Sequence, residues 1–411
     1  MKKVLFLAYL IKLIFIFTLK YLSYVGDTSI ESEENILRYF TLEDIKIGEE
    51  YSRKGFIISI ISNAIDIGIL LSLTFLGYAK KLENFIQLRT KNSFFLNSTL
   101  FILICYSINF ILDLPFSYYF EFFLEHQFGF SNMNLSSWLI LNLKNFILGL
   151  FGVLITGLGL IYILKIFEKS WIFMVPVVSI LFGLILSVVF PVLITPLYYD
   201  YSEIENGSLK DKILVLCEKE KISITNVFII NESEYSNHTN AYFTGWGKDR
   251  KIFLYDTLIK NHTEEEIISI LGHEIGHWKY NHQIKDILLS GIILFIGCVL
   301  TKKIFEISKI QNQMNLEFIY SPSSIPILIL IFGLLNFINS PLENYMSRID
   351  ETEADIEALI LTNDKTSFIS TEIKMARDNK SRLNPHPIVE WFYYSHPKTL
   401  DRIKLAEDYR N

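Results

Sequence analysis

The chain alternates between long apolar stretches and polar segments, a pattern typical of a protein that crosses a membrane several times. Polar blocks follow the fifth apolar stretch, over 197–285, and the seventh, over 343–411. We therefore predict an α-helical, multi-pass (polytopic) membrane protein with two folded polar blocks. The seven predicted spans are 4–22, 56–78, 94–113, 139–165, 171–195, 286–305 and 325–342.

The first apolar stretch follows Lys2 and Lys3, as the apolar part of a secretory signal would. It has no small-residue cleavage site, however, and Lys12 interrupts it. We therefore expect a retained transmembrane helix at this end of the chain.

Composition supports the membrane prediction, because 51% of the 411 residues are apolar and only 20% are charged. So much apolar surface excludes general disorder. The net charge of −6 provides no basic face, which argues against nucleic acid as a partner. Three scattered cysteines, Cys105, Cys217 and Cys298, form neither a disulfide framework nor a paired metal-binding motif.

Several predicted spans carry polar side chains, which lipid disfavours. These residues either hydrogen-bond between helices or line a water-filled interior, and the sequence leaves both alternatives open. The residues are Asn63, Asp66, Asn109, Lys144, Asn145, Asn336 and Asn339.

The first polar block contains a predicted helix over 210–219 and two short β-rich runs, over 226–230 and 251–254. A second helix should begin at Thr263, because Thr263 and Glu266 have the spacing of a capping box. The candidate chemistry lies on that second helix.

The motif HEIGH over 273–277 is the strongest chemical signal in the chain. On a helix, His273 and His277 lie on one face, so both imidazoles can reach one metal ion. Imidazole suits zinc, and Glu274 can take a proton from the attacking water. A solvated helix face that happens to carry two histidines is the competing interpretation.

A hydrolytic zinc site needs a third protein ligand. A metzincin would have His at position 283, but Gln283 stands there and His282 falls one position short. An acidic cluster after the seventh span offers candidates, and spacing does not choose among them. The candidates are Asp350, Glu351, Glu353 and Asp355.

With these motifs the chain resembles the Ste24-type CAAX prenyl proteases, integral-membrane zinc proteases of peptidase family M48. The sequence HEIGHW resembles the zinc helix of that family, and ETEAD over 351–355 resembles its ExxAD element. The resemblance implies that Glu351 is the third ligand and that Asp355 orients a ligand imidazole. It also implies seven helices around a chamber and a gluzincin-like domain with a small β-sheet. We expect a membrane domain over 1–205 and a peptidase domain over 206–411.

Three further segments resemble the same family. Residues 125–132 (EHQFGFSN) resemble a family loop, with Ser131 as a small departure. Near the C-terminus, Ser395-His396-Pro and Arg402 resemble an element thought to hold substrate or stabilise the oxyanion. Residues 240–245 (NAYFTG) resemble a strand beside the active site, which implies that substrate pairs with Asn240, Ala241, Tyr242 and Phe243.

The resemblance implies a membrane zinc metalloendopeptidase with one Zn²⁺ per chain. Its substrate would be an extended peptide or a protein C-terminus, prenylated in the family, and it would act as a monomer. The host membrane would be the endoplasmic reticulum in a eukaryote or the plasma membrane in a bacterium. Two alternatives remain: a general quality-control protease, or a transporter-like protein, although no paired broken spans support the latter.

Loop charges give conflicting predictions of orientation. Lys80, Lys81, Arg89 and Lys91 would place the loop 79–93 in the cytosol and the catalytic side outside. The family implies a cytosol-facing catalytic side, and basic residues in the loop 23–55 favour that orientation, which we adopt as the expectation.

Overall fold

The computed structural model describes residues 2–27, 34–222, 224–244, 250–308 and 310–410. Within that part of the chain, seven helices are long and apolar enough to cross a membrane. The prediction of a polytopic helical protein with seven spans is confirmed. The longer helices of the N-terminal part are α1 (Lys2–Val25), α2 (Leu42–Lys54), α3 (Phe56–Phe75), α4 (Tyr78–Gln87), α5 (Phe94–Ser117), α6 (Leu135–Ile166) and α7 (Trp171–Val189). Short helical segments follow α5 (Tyr118–Leu124 and Glu125–Gln127) and α7 (Phe190–Ile194 and Thr195–Tyr198).

The C-terminal part combines a small sheet, shorter helices and the last two membrane-spanning helices, His282–Ser308 and Ile325–Thr362. The predicted helix over 210–219 and both β-rich runs are present. The strands are β1 (Tyr201–Glu203), β2 (Ile224–Ile230), β3 (Ala241–Thr244) and β4 (Arg250–Tyr255), and the helices are α8 (Ser208–Lys219), α9 (Asp256–Asn261), α10 (Glu264–Lys279), α11 (His282–Ser308), α12 (Ile310–Met314), α13 (Ile325–Thr362), α14 (Lys365–Asp378), α15 (Pro387–Tyr393) and α16 (Thr399–Asp408).

The connections between the spanning helices lie at two opposite ends of the bundle. At the end that carries the sheet, α2 meets α14 through an ion pair of 3.1 Å between Asp44 and Arg377. At the other end, the hydroxyl of Ser323 donates a 2.5 Å hydrogen bond to Glu83 of α4. The basic segment before α3 therefore lies on the side of the sheet, and the basic loop 79–93 lies on the opposite side.

The sheet has the strand order β1-β2-β4-β3, with β2 parallel to β4 and β3 antiparallel to it. One face of the sheet packs on α10, because Ile252 and Leu254 of β4 share a buried cluster with Leu271 and Ile275 of that helix. Burial of such side chains contributes roughly 2 kcal/mol each. This core fixes β3, at one end of the sheet, beside α10.

A close approach of two backbones joins α10 to α13. A Cβ atom on Gly276 would lie 2.7 Å from the Cα of Ala354, closer than any side chain tolerates. Gly272 likewise faces Ala358, with 3.2 Å between its ideal Cβ and the Ala358 Cα. Small residues on both helices thus bring the HEIGH segment against the acidic segment of α13.

Some polar residues of the spans form hydrogen bonds to neighbouring segments. The ammonium group of Lys144 donates to the carbonyl of Leu197 at 2.9 Å, and the hydroxyl of Tyr198 donates to Asn145 at 2.8 Å. In α3, the side chain of Asn63 bonds its own helix at the carbonyl of Ser59, 2.7 Å away. For Lys144 and Asn145 the interhelical alternative is therefore correct, whereas the water-filled chamber stays a prediction.

Candidate metal centre

The two histidines of HEIGH point their Nε2 atoms at one place. Helix α10 begins with the predicted capping box, in which Thr263 and Glu266 bond each other's backbone N–H groups. One turn apart on that helix, the Nε2 atoms of His273 and His277 are 3.0 Å from each other. Two imidazole lone pairs at this separation repel unless a cation or a proton lies between them.

Glu351 of α13 completes the group with both oxygens. Its Oε2 lies 3.2 Å from Nε2 of His273, and its Oε1 lies 3.4 Å from Nε2 of His277. These separations fit a tetrahedral ion with bonds of about 2 Å, for which ligand atoms lie about 3.3 Å apart. Glu351 is buried, and its Oε2 has no hydrogen-bond partner among the described residues. The donor set therefore fits a zinc-sized cation.

The four acids that spacing could not separate lie on two faces of α13. Glu351 and Asp355, four residues apart, both face His273. Asp350 and Glu353, three residues apart, instead face His282, with their oxygens 3.5 and 3.2 Å from its Nε2. On the first face, Glu351 thus lies at the candidate metal position and Asp355 lies against the imidazole of His273.

Behind His273 lies a chain of buried charges. Nδ1 of His273 is 2.8 Å from Oδ1 of the fully buried Asp355, whose Oδ2 accepts a 2.8 Å hydrogen bond from Nε of Arg402. Nη1 of Arg402 pairs with Glu372 of α14 at 2.8 Å. Burial raises the pKa of the Glu372 carboxyl, against the attraction of Arg402. Sequence reasoning missed Glu372, which no motif marks.

His396 reaches the same site from the segment before α16. Its Nε2 lies 3.2 Å from Oε1 of Glu351, and its side chain is 61% exposed. The hydroxyl of Ser395 is 2.9 Å from its Nδ1. The imidazole thus sits at the open side of the metal group, whereas Arg402 is turned to Asp355 and Glu372.

Glu274 follows the first histidine on α10 and is half-buried. Burial raises the pKa of its carboxyl, and the nearby His273 and His277 oppose that shift. A carboxyl group whose pKa is raised toward the working pH is suited to accept and return a proton.

The segment over 240–243 lies where the resemblance implies, beside α10. In β3, Ala241 pairs with Leu254, and Tyr242 stacks on Phe253 with ring centroids 5.2 Å apart. Among the described residues, no strand pairs with the outer edge of β3. Gly245, the last residue of that motif, lies outside the described residues.

The family-like loop 125–132 holds the chain just before β3. Ser131 forms an isolated antiparallel bridge with Ser236, and Glu125 lies 3.0 Å from Nε2 of His238. The hydroxyl of Tyr51 donates a 2.6 Å hydrogen bond to the other oxygen of Glu125. The hydrogen bond to Glu125 raises the pKa of His238. The membrane helices thus position the approach to β3.

His282, for which no role is predicted from the motifs, also belongs to this region. It is buried, and its Nδ1 lies 2.9 Å from Nδ1 of His277. Two further histidines without a predicted role lie elsewhere. His262 is buried at the C-terminal end of α9, and His386 is the N-cap of α15.

Comparison with known proteins agrees with this architecture. Residues 203–410 match the model of peptidase family M48, and residues 8–200 match the model described as CAAX prenyl protease N-terminal, five membrane helices. The uncharacterized metalloprotease YhfN of Bacillus subtilis is 27% identical over 98% of this chain and 96% of its own length. CAAX prenyl protease 1 of Saccharomyces cerevisiae is 30% identical over 74% of this chain and 70% of its own length.

A solved structure extends the similarity to the whole fold. The crystal structure of Ste24p of S. mikatae superposes with a TM-score of 0.88, covers 99% of both chains and is 25% identical in sequence. The M48 model covers just over half of this chain, across the sheet and the metal group. The chain therefore belongs to peptidase family M48 and is a multi-pass membrane metalloprotease.

Proposed function

We propose that one zinc ion per chain, held by His273, His277 and Glu351, is the catalytic metal of a peptide-hydrolysing enzyme. The supporting observation is the convergence of three donor groups from two helices, whose ligand atoms all lie within 4.8 Å of one another. Two imidazoles and one carboxylate, with a fourth position left for water or substrate, are a typical donor set of zinc hydrolases.

Glu274 acts as the general base in this proposal. A zinc ion bound there supplies a Lewis acid for the scissile carbonyl and for the attacking water. Glu274 takes the proton from that water and returns it to the leaving amine.

Asp355 and Arg402 position His273. Asp355 accepts the hydrogen bond from Nδ1–H of His273, so that Nε2 keeps its lone pair for the metal. Arg402 holds Asp355 through Nε and Nη2, and Glu372 holds Arg402 in turn. Because these contacts occupy its guanidinium group, we assign Arg402 a positioning role in place of the expected contact with substrate.

His396 is the donor that we assign to the developing oxyanion. Its Nε2 lies beside Glu351 on the exposed side of the metal group, within reach of a carbonyl that approaches the metal. An N–H donor there stabilises negative charge on the tetrahedral oxygen.

The proposed substrate is an extended peptide that pairs with β3. Backbone groups alternate between the two edges of a strand, and the carbonyl of Asn240 already accepts from Tyr255 of β4. The outer edge of β3 therefore offers the backbone groups of Ala241 and Phe243, with the side chains of the 240–243 segment alongside, and added strands bind through such groups without a fixed sequence. The CAAX prenyl protease relatives favour a prenylated protein C-terminus, which would enter between the membrane helices. We propose that one chain suffices, because all three donor groups of the proposed metal site come from helices of the same chain.

Removal and return of zinc tests this function. The full chain in detergent is stripped with a chelator and titrated with zinc, and cleavage is followed on one CAAX peptide in farnesylated and unmodified forms. Activity should vanish on stripping and return linearly until one zinc per chain is bound. We expect the farnesylated peptide to be cleaved with the higher kcat/KM.

Two results would count against parts of the proposal. Full activity in stripped protein, with no zinc by elemental analysis, would contradict a catalytic zinc. Equal kcat/KM for the two peptides would instead favour a general membrane protease over a prenyl-directed one. Magnesium added in place of zinc is the control, because it prefers six oxygen ligands and should not restore activity.

A further inference from the structure

The second zinc-helix histidine, His277, lacks the carboxylate that His273 has in Asp355. Its Nδ1 instead meets Nδ1 of His282 at 2.9 Å. In metal sites, the ring nitrogen that does not bind the ion is normally held by a hydrogen-bond acceptor, which fixes the tautomer and the ring orientation. The geometry points to His282 as a positioning residue for His277. This inference rests on the proposed zinc site.

A break in the helix brings His282 to this place. On a continuous helix, a residue five positions on would lie about 140° round the axis from His277. Helix α10 ends at Lys279, and Asn281 adopts a left-handed conformation with φ of 56°. The chain therefore turns back, α11 begins at His282, and the ring returns against His277. Asn is one of the few residues that adopt this conformation readily.

The direction of the hydrogen bonds follows from the proposed zinc bond. If Nε2 of His277 binds the ion, a neutral ring carries its proton on Nδ1 and must donate it. Nδ1 of His282 is then the acceptor, so the proton of His282 is on Nε2. That Nε2–H faces Oε2 of Glu353 at 3.2 Å and Oδ1 of Asp350 at 3.5 Å. Each N–H donor in the chain from His277 through His282 to the two carboxylates therefore has an acceptor.

The same three residues, His282, Asp350 and Glu353, also have the composition of a second metal site. A cation on Nε2 of His282 would force the proton of that ring onto Nδ1. Two N–H groups would then face each other at 2.9 Å while His277 binds zinc. The carboxylates therefore act as acceptors for His282, and the two sites are incompatible in this geometry.

With these hydrogen bonds, acidic residues of α13 hold both ligand imidazoles. Asp355 reaches His273 directly, and Asp350 and Glu353, on the other face of the helix, reach His277 through His282. His282 is 2% exposed, so water does not compete for its nitrogens. An acceptor in this position should raise the affinity of His277 for the metal.

Zinc affinity of the full chain, measured by competition with a chromogenic chelator, tests the role of His282. We expect His282→Phe to raise the zinc dissociation constant about 10- to 100-fold, the usual cost of losing such a partner. His282→Asn should recover much of the loss, because the side-chain oxygen of Asn can occupy the place of Nδ1 and accept from His277. The matched control is His262→Phe, the same change at a buried histidine at the C-terminal end of α9. This variant should leave the zinc dissociation constant unchanged.

Each remaining outcome decides against the inference. An unchanged dissociation constant in His282→Phe would overturn it, as would a His282→Asn variant no better than His282→Phe. Two zinc ions in the parent and one in His282→Phe would show a second metal site instead. A parent without zinc would refute the proposed function itself, and the inference with it. If His282→Phe does not fold, the pair Asp350→Ala and Glu353→Ala removes the acceptors of His282, and an unchanged constant there is equally decisive.

Discussion

Glu274→Gln should abolish peptide cleavage while the protein keeps its zinc. Gln has nearly the shape of Glu but cannot take a proton from the attacking water, and general acid–base groups typically contribute about 10²- to 10⁴-fold to the rate. Glu274 is absent from the proposed ligand set, so zinc content should stay at one ion per chain. The measurements are kcat on a CAAX peptide and elemental analysis of the same preparation.

The matched control for this variant is Glu265→Gln, on the same helix. Glu265 is exposed and pairs with Lys212 at 2.7 Å, far from the metal group in the first turn of α10. The Glu265→Gln variant should have the kcat and the zinc content of the parent protein. A Glu274→Gln protein with both zinc and normal activity would remove Glu274 from the mechanism.

Glu351→Gln should lose the metal itself, and with it all activity. The change removes the only negative charge from the proposed ligand set and replaces a buried carboxylate with a weakly ligating amide. We expect the zinc dissociation constant to rise by more than the roughly 10- to 100-fold that loss of a ligand's partner costs. The chelator competition assay measures this rise directly.

Glu343→Gln, two turns earlier on α13, is the control for a charge change on that helix. Its zinc affinity should equal that of the parent. Added zinc at high concentration should restore part of the activity of Glu351→Gln, because the histidines remain. Parental zinc affinity in Glu351→Gln would show that another group is the third ligand.

Features that depend on local sequence were predictable. Seven apolar stretches predicted seven spanning helices, and the capping box at Thr263 predicted the start of α10. The HEIGH spacing then placed two imidazoles on one face, because the helical repeat alone decides it. The domain boundary at 205 and the chamber stay predictions.

Features that depend on packing were not predictable from spacing. Which acid of α13 faces the histidines depends on the rotation of that helix, which the contact of Gly276 with Ala354 fixes. The place of His282 depends on the turn at Asn281, which breaks the helical periodicity that placed the other histidines. Glu372 comes from a third helix and meets Arg402 only in the folded protein. Resemblance to a family selected Glu351, where residue spacing left four choices.

Anomalous diffraction at the zinc absorption edge, from crystals of the full chain, tests the convergence of α10 and α13 on one cation. We predict a single strong peak about 2 Å from Nε2 of His273, Nε2 of His277 and a carboxylate oxygen of Glu351. A peak at His282, Asp350 and Glu353 instead, or no peak in active protein, would contradict the convergence of the two helices on one catalytic cation.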